Sequence, residues 1–315
     1  MKLAVIIIDF GDLPRTFKYI DDFLKNTRDE KSSDISFVIV ENKVSYDGIS
    51  ILENYTNKVK HINIVGCNAI LFKMYERECI YVISKENSGF ARGNNLGAKI
   101  ADQLFDIDYY CFSNNDINFQ QKYSLSRVQE IFMNNSSVAV VGPKVVGMDG
   151  KKQSPCKRKS VFSLLFLWYY NILLNNCLVK LCGHVDNINE SKECYWVSGC
   201  FMIIDKKKFN EISGFDPNTF LYGEEMILSE RLLQKNYIMY FDMENSICHE
   251  TSQSVNSSFK IIQSIRFDFL SKYYYCKTYR KTSSIILGLA KINFALFWVL
   301  FKVECFLIKI KNFRR

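Results

Sequence analysis

The residues with the clearest chemistry are Asn114, Asn115 and Asp116, which follow an apolar run from Tyr109 to Phe112. This pattern predicts a buried strand that delivers three polar side chains to its carboxyl end, where ligands bind in an open α/β sheet. A carboxylate beside amides can hold Mg²⁺ or Mn²⁺ through oxygen, and a cation so held can neutralise a diphosphate. Such a cluster is also typical of a solvated strand-to-turn junction, in which Asn and Asp bond their own backbone.

A second carboxylate, Glu41, ends another predicted strand that runs from Ile35 to Val40. A carboxylate in this position can accept hydrogen bonds from the imide of a pyrimidine base or from a ribose. A helix cap followed by the Asp47-Gly48 turn explains Glu41 equally well.

A segment rich in glycine and asparagine follows the next predicted strand and contains Asn87, Gly89, Gly93, Asn94, Asn95 and Gly97. Glycine lets the backbone approach a ligand and lets a helix pack closely, and the amides stand near the start of the predicted helix. The spacing matches neither the dinucleotide fingerprint nor the phosphate loop.

Two adjacent acids, Glu224 and Glu225, open a further predicted helix. Acids at a helix N-terminus complement the helix dipole, which is the ordinary reason for finding them there. One of the two could instead deprotonate an acceptor hydroxyl. His249 follows a strand predicted from Tyr237 to Phe241, and a lone histidine is more often a packed or surface residue than a ligand.

Strands and helices alternate along the chain, which predicts an α/β fold with a mostly parallel central sheet flanked by helices. A hydrophobic content of 48% with 15% aromatic residues excludes disorder. Eleven cysteines without regular spacing indicate reduced thiols and a cytosolic setting. The run from Leu3 to Ile8 is too short for a signal peptide and predicts a first buried strand. Another strand, from Val138 to Val146, is predicted to break at Gly142-Pro143.

The order of several separated motifs resembles the family 2 glycosyltransferases, especially their rhamnosyltransferase-like branch. The motifs are, in chain order, VEN with S-x-D-G, N-x-G-F-A-x-G-N-N-x-G, NND, VSGCFMI, GFD with the paired acids and an Arg, and a single His. They cover roughly residues 1–252. The resemblance implies a GT-A (nucleotide-diphospho-sugar transferase) fold and inverting sugar transfer that depends on Mg²⁺ or Mn²⁺.

The resemblance also implies roles for individual residues. Glu41 stands where the family usually has the Asp that contacts the base. Asp116 matches the metal-binding Asp of the D-x-D motif, with Asn114 in place of the first Asp, and His249 matches the His that completes the metal site. The other predicted contacts to the nucleotide sugar are Asn87, Gly89, Asn94, Asn115, Ser198 and Gly199.

On the acceptor side, Glu225 occupies the position of the family's catalytic base, which is usually an Asp. Ile227 replaces a further acid that is usual two residues on. Arg231 matches an Arg of the same helix, and we predict that Arg231, Glu224 and Trp196 orient the acceptor. A buried strand is predicted from Tyr195 to Ile204, in which the backbone at Ser198 and Gly199 could approach the sugar.

The basic charge is concentrated in the C-terminal tail. The chain carries a net +8, but residues 257–315 contain twelve Lys and Arg against two acids. The run from Ser283 to Ile308 is long enough to span a bilayer, yet Lys291, Lys302 and Lys309 fall within about 20° on one helical face. This stripe predicts a helix lying in the interface of an anionic cytoplasmic leaflet, with a buried or dimerising helix as the alternative.

A second basic and apolar segment, residues 151–182, holds six Lys and Arg and no acid. Three amides, Asn171, Asn175 and Asn176, interrupt it and argue against a transmembrane helix. We predict an interfacial or acceptor-side helix here, with plain core packing as the alternative.

Together these patterns predict a catalytic domain over residues 1–256, with nucleotide binding in 1–120 and acceptor binding in 121–256, and a basic apolar tail over 257–315. The predicted function is transfer of a sugar from a UDP- or dTDP-linked donor to a glycan or lipid-linked acceptor, in cell-surface polysaccharide assembly at the inner face of the cell membrane.

Three other classes of protein are alternatives to this function. A nucleotidyltransferase would carry a basic glycine-rich signature near the N-terminus, and the segment from Asp9 to Thr16 has none. A non-catalytic nucleotide-sugar or glycan-binding homologue stays open because of Glu225 and Ile227. A nucleic-acid binder is disfavoured, since the positive charge lies on apolar helices without a base-stacking pattern.

Overall fold

A computed structural model describes residues 1–27, 34–43, 46–56, 58–174, 185–250 and 258–313. Side chains are described within these ranges except at residues 172, 258–261 and 304–313. The sequence-based predictions that involve Asn175, Asn176 and Lys309 therefore fall outside the described residues or side chains. The chain divides into two compact units, residues 1–157 with 185–254 and residues 158–184 with 255–315.

The first unit is built on one sheet that contains twelve strands among the described residues. In chain order the strands are β1 (Lys2–Asp9), β2 (Asp34–Glu41), β3 (Lys60–Ile64), β4 (Cys67–Met74), β5 (Arg77–Ile83), β6 (Tyr109–Ser113), β7 (Ile117–Asn118), β8 (Val138–Gly147), β9 (Lys152–Ser154), β10 (Lys192–Cys194), β11 (Phe201–Asp205) and β12 (Ile238–His249). Across the sheet the order is β10-β12-β8-β11-β6-β1-β2-β5-β4-β3, with β7 beside β12 and β9 beside β8.

The sheet is mixed, so the prediction of a mostly parallel sheet is wrong. β1 is parallel to β2 and β6, β2 to β5, and β8 to β12. By contrast, β11 runs antiparallel between β6 and β8, and β3, β4 and β5 form an antiparallel meander. Strand β3 was not predicted because it is an edge strand with little burial, and its apolar pattern is correspondingly weak.

The helices of the first unit are α1 (Leu13–Asn26), α2 (Gly48–Tyr55), α3 (Gly89–Leu104), α4 (Leu125–Asn134), α6 (Lys206–Glu211) and α7 (Glu224–Leu233). The start of α1 is set by Asp12, whose side chain accepts the N–H of Arg15, and by Pro14 in the first turn. Helix α3 packs so closely on β1 that a Cβ at Gly97 would lie 2.4 Å from Ile6.

The core lies on both faces of the sheet. Along β1, Leu3, Val5 and Ile7 belong to one buried cluster. Ala4 and Ile6 alternate with them and belong to the other. A strand buried on both faces reads as a continuous apolar run. This explains why the sequence predicted β1 well.

The strand predicted from Val138 to Val146 is present as β8, but its predicted break is wrong. β8 runs unbroken through Gly142-Pro143. Pro143 has no N–H to donate to a neighbouring strand, and it is tolerated because the pairing with β12 is already irregular beside it, at the register shift in β12. The strand predicted from Tyr195 to Ile204 is wrong in its first part, because residues 195–200 form the connection between β10 and β11, and only residues 201–204 belong to β11. Trp196, Ser198 and Gly199 therefore lie in a loop.

In the second unit, α8 (Ser258–Thr278) and α9 (Ser284–Phe313) are long helices. The helix predicted within residues 151–182 is reduced, in its described part, to a π-helical turn over Ser163–Leu167 and one turn, α5 (Tyr170–Leu173). A buried aromatic cluster holds this unit together. In it, the rings of Phe269 and Phe294 stack with their centroids 3.7 Å apart.

Candidate functional site

The carboxyl ends of β1, β2 and β6 meet at one edge of the sheet, because β1 pairs in parallel with both neighbours. Asp9 ends β1 and is the register partner of Glu41 at the end of β2. Asn114, Asn115 and Asp116 directly follow β6. The structure thus brings Glu41 and the cluster from Asn114 to Asp116 to the same edge of the sheet.

Glu41 is only 2% exposed at this edge. Its Oε1 accepts the N–H of Lys43 at 2.7 Å, and its Oε2 accepts the hydroxyl of Tyr81 at 3.0 Å. Burial raises the pKa of Glu41 to about 7, with the negative charge of Asp9 adding to the rise and the two hydrogen bonds opposing it. The carboxyl group is therefore held in place and is poised to accept or donate a hydrogen bond near neutral pH.

Asp9 is a buried member of the site that the sequence analysis did not single out. Its Oδ1 accepts the N–H groups of Gly11 and Asp12, at 2.9 and 3.1 Å. Its Oδ2 accepts the hydroxyl of Thr16 at 2.6 Å, and the amide of Asn115 donates to that hydroxyl at 2.9 Å. Asn115 thus ties the end of β6 to the end of β1. An acid at the same strand-end position as Glu41 was the available signal.

Asn42, which was also missed, holds the loop before α3. Its Nδ2 donates to Oδ1 of Asn87 and to the carbonyl of Gly89, both at 3.2 Å. Its Oδ1 accepts the N–H of Ser88 at 3.0 Å. Asn87 therefore lies at the strand-end edge, and its amide oxygen is engaged in shaping the loop.

Position 89 requires glycine, because the neighbouring main chain leaves no room for a side chain. It has a φ of +75°, and a Cβ there would lie 2.1 Å from the carbonyl oxygen of Phe220. That carbonyl accepts the N–H of Phe90 at 3.0 Å.

Asn94 is buried and donates to the carbonyl of Phe90 in its own helix, at 3.0 Å. Its described contacts are therefore structural.

Asp116 and His249, the two predicted metal ligands, lie together although they are far apart in the chain. His249 is the last residue of β12 and pairs with Ile117 of β7. The N–H of Glu250 donates to the carbonyl of Asp116 at 2.9 Å. These backbone contacts place Nε2 of His249 3.2 Å from Oδ1 of Asp116.

The donors at this position fit a divalent cation. Oδ1 of Asp116 is buried and receives no hydrogen bond from the residues that the structure describes. Two adjacent ligands about 2.1 Å from an octahedral ion lie about 3.0 Å apart, which is close to the observed 3.2 Å. Within the described ranges, no group of three or more His, Cys, Asp or Glu gathers as a metal site. Two protein ligands suit a Mg²⁺-like ion that is completed by water and phosphate oxygens.

Glu225 lies in the first turn of α7, and its Oε1 accepts the N–H of Gly199 at 3.0 Å. Burial raises the pKa of the Glu225 carboxyl above its ordinary value, against the lowering effect of this hydrogen bond. A carboxylate with a raised pKa is better suited to accept a proton near neutral pH.

The loop 198–200 contacts both the base candidate Glu225 and the strand end that carries Asp116. The N–H of Asn114 donates to the carbonyl of Cys200 at 2.8 Å. Burial raises the pKa of the Cys200 thiol to about 12, and the charges of Asp116 and Glu225 both add to this rise. Ser198 is held by its N–H, which donates to the hydroxyl of Ser154 at 3.2 Å.

The three predicted acceptor-side residues have structural contacts. Glu224 is buried at the start of α7. Trp196 pairs its backbone with that of Cys156 on both sides, at 2.8 and 3.2 Å. The guanidinium of Arg231 donates to the carbonyl of Ile212.

Neither a scan against protein-family models nor a search of curated proteins finds a match. Among solved structures, GalNAc-T7, crystallised with UDP, GalNAc and Mn²⁺, superimposes with a TM-score of 0.56 at 12% identity, over 88% of this chain and 51% of GalNAc-T7. This chain therefore spans about half the length of GalNAc-T7.

A second solved structure, residues 1–349 of S. aureus TarS, gives a TM-score of 0.48 at 13% identity, over 87% of this chain and 72% of that one. The likeness to GalNAc-T7 shows that the chain has a GT-A-type glycosyltransferase fold.

Proposed function

We propose that this protein is a glycosyltransferase that moves a sugar from a nucleoside diphosphate donor to a hydroxyl group of an acceptor. The observation that carries the proposal is the loop 198–200, which contacts Glu225 through the N–H of Gly199 and, through the carbonyl of Cys200, the strand end that carries Asp116 of the Asp116–His249 pair, within a GT-A-type fold. A cation site and a base are the two groups that metal-assisted sugar transfer requires.

The donor is a UDP- or dTDP-linked sugar in this proposal. The buried carboxyl of Glu41 meets the imide edge of the pyrimidine, and the loop from Asn87 to Gly89, fastened by Asn42, borders the same edge of the sheet. The presence of UDP in the GalNAc-T7 structure supports this class of donor.

Asp116 and His249 would hold Mg²⁺ or Mn²⁺. The cation, when bound, neutralises charge on the departing diphosphate and makes it a better leaving group. The buried Oδ1 of Asp116 and Nε2 of His249 supply one anionic and one neutral donor for it.

Glu225 acts as the general base in this proposal. Because Oε1 is held by Gly199, Oε2 receives the proton of the acceptor hydroxyl. The hydroxyl oxygen forms a bond to the anomeric carbon as the bond from that carbon to the diphosphate breaks. A single displacement of this kind inverts the anomeric configuration and needs no covalent intermediate on the protein.

The acceptor is a glycan or lipid-linked glycan, and we place the protein on the inner face of the cell membrane. In α9, Leu287, Ala290, Phe294 and Phe297 are buried. The opposite face exposes Ile285, Leu289, Ile292, Leu296, Val299 and Val303, which are spaced by four and three residues.

One exposed apolar face favours an in-plane helix over a spanning one. The segment Ser284–Val303 is long and apolar enough to cross a membrane, but its opposite face already packs against its own unit. Residues 158–184 and 255–315 carry fifteen Lys and Arg against two acids. This charge matches an anionic lipid surface and fits a role in cell-surface polysaccharide assembly.

Donor hydrolysis over a panel of UDP- and dTDP-linked sugars, with Mn²⁺ or Mg²⁺ and with EDTA, tests the proposal directly. We expect at least one sugar nucleotide to be turned over in a metal-dependent way. A non-catalytic homologue would bind such a nucleotide without consuming it in the presence or absence of acceptor glycans, and that result would refute the enzymatic proposal.

A further inference from the structure

Gln153, which neither the motifs nor the proposed chemistry uses, contacts the metal-ligand candidate His249. It lies on β9, the short strand that returns along β8 after a tight turn. The turn is closed by the N–H of Gly147, which donates to the carbonyl of Lys151 at 2.8 Å. Gly147 is itself the register partner of His249 between β8 and β12.

A β-bulge aims the Gln153 side chain. In the ladder between β8 and β9, Val145 pairs with Ser154 and Val146 pairs with Lys152. Gln153 is therefore the extra residue on β9, without a partner of its own on β8. Bulges of this kind re-aim a side chain and are common beside functional sites.

The side chain so aimed reaches the imidazole. Oε1 of Gln153 lies 2.9 Å from Nδ1 of His249. An amide oxygen only accepts hydrogen bonds, so this contact requires that Nδ1 carries a proton. The other ring nitrogen, Nε2, then presents its lone pair on the side of Asp116, whose Oδ1 lies 3.2 Å away.

Gly147 leaves the space that this arrangement needs. A Cβ at Gly147 would lie 2.7 Å from Nε2 of Gln153. The absence of a side chain at the end of β8 lets the amide of Gln153 lie against the strand while its oxygen faces His249.

We infer that Gln153 is a positioning residue that fixes the orientation and the tautomer of His249, so that Nε2 and the carboxylate of Asp116 face the same cation. The inference rests on the metal role given to this pair in the proposed function. Outer partners of metal-bound histidines act in this way, and their loss typically costs about 10- to 100-fold in metal affinity.

Manganese binding to the full-length protein measures this contribution without reference to turnover. The electron paramagnetic resonance signal of free Mn²⁺ is followed during titration in the presence of UDP, and separately of dTDP. Gln153→Met keeps the side-chain length and removes the acceptor, so we expect Mn²⁺ affinity to fall by about 10- to 100-fold. Gln153→Glu restores an acceptor for Nδ1–H and should stay close to wild type.

Two further variants test whether the effect is specific to the contact between Gln153 and His249. Gln121→Met makes the same exchange at an exposed glutamine whose amide donates to the carbonyl of Glu244, and it should leave Mn²⁺ binding unchanged. Gly147→Ala approaches the same contact from the backbone and should weaken binding in the same direction as Gln153→Met.

A spectroscopic readout separates positioning from a general structural role. In the Mg²⁺-nucleotide complex, the ¹⁵N shifts of the His249 ring should show a protonated Nδ1 in the wild type and in Gln153→Glu, and a changed ring environment in Gln153→Met. Equal Mn²⁺ affinity in the wild type and Gln153→Met would overturn the inference and leave the proposed function intact. A wild type that binds no Mn²⁺ with either nucleotide would overturn both.

Discussion

The carboxylate of Glu225 lies directly against the backbone of Gly199. The Gly199 N–H donates to Oε1 at 3.0 Å, and a Cβ on Gly199 would lie 2.5 Å from the same oxygen. The glycine was expected to let the backbone approach the sugar. The structure shows a different requirement, which is room for the carboxylate that we propose as the base.

Gly199→Ala should displace the Glu225 carboxylate and lower turnover. A misplacement of about 1 Å costs on the order of 100-fold in rate, so we expect a loss of this size with nucleotide affinity little changed. The measurement is kcat and KM for the donor found in the sugar-nucleotide panel. Gly288→Ala is the matched control, since a Cβ there meets nothing within 4 Å. Equal rates in both variants would show that the contact is unimportant.

Glu225→Gln should lower turnover by roughly 100-fold or more, because the amide keeps the shape and loses basicity. In the wild type, the raised pKa of Glu225 means that activity falls as pH drops through a value above that of an ordinary glutamate. The pH profile of kcat/KM checks this, and the acidic limb should be absent from the residual activity of the variant. If Glu224→Gln lowered turnover and Glu225→Gln did not, the two roles would be reversed.

Asp116→Ala should abolish metal-stimulated transfer and metal-dependent nucleotide binding while the fold is kept. In the proposed site Asp116 would supply the negative charge and His249 a neutral nitrogen, so His249→Ala should have the smaller effect. Isothermal titration of the nucleotide with and without Mn²⁺ checks both variants, with circular dichroism as the control for folding. Near-normal metal stimulation in Asp116→Ala would refute the cation site.

The contribution of Glu41 to the free energy of unfolding should be lost as pH rises from about 4.5 to about 7. Its pKa is raised from 4.5 to about 7 in the folded protein, so the folded state binds more protons than the unfolded state in this window. The contribution is therefore fully present below pH 4.5 and lost as pH rises through 7. Glu41→Gln removes it, so urea midpoints between pH 4.5 and 8 should change less with pH in the variant. Identical pH slopes would contradict the raised pKa.

The exposed face of α9 should bind anionic vesicles. Full-length protein should sediment with vesicles that contain phosphatidylglycerol and be partly released by high salt, since each Lys or Arg near such a surface contributes about 1 kcal/mol. Leu289→Glu with Leu296→Glu should reduce binding strongly. Met133→Glu, at a residue of the first unit that is 74% exposed, is the control. Extraction by detergent alone would indicate a spanning helix, and a wild type that ignored vesicles would refute the membrane proposal.

The sequence by itself determined the elements whose cause is local. The continuous apolar run of β1 and the paired acids that open α7 could both be predicted, because periodicity and helix-end preferences act over a few residues. Asp116 could be singled out from its own strand end, and the resemblance to a family named His249 and Glu225.

Only the tertiary structure decided how these parts meet. The antiparallel course of β11 between β6 and β8, the buried Asp9 beside Glu41, and the contact of Gln153 with His249 all join distant parts of the chain. The pairing of such segments depends on which surfaces bury each other best. Local periodicity, caps and turns carry no information about a partner 96 residues away, which is the separation of Gln153 from His249.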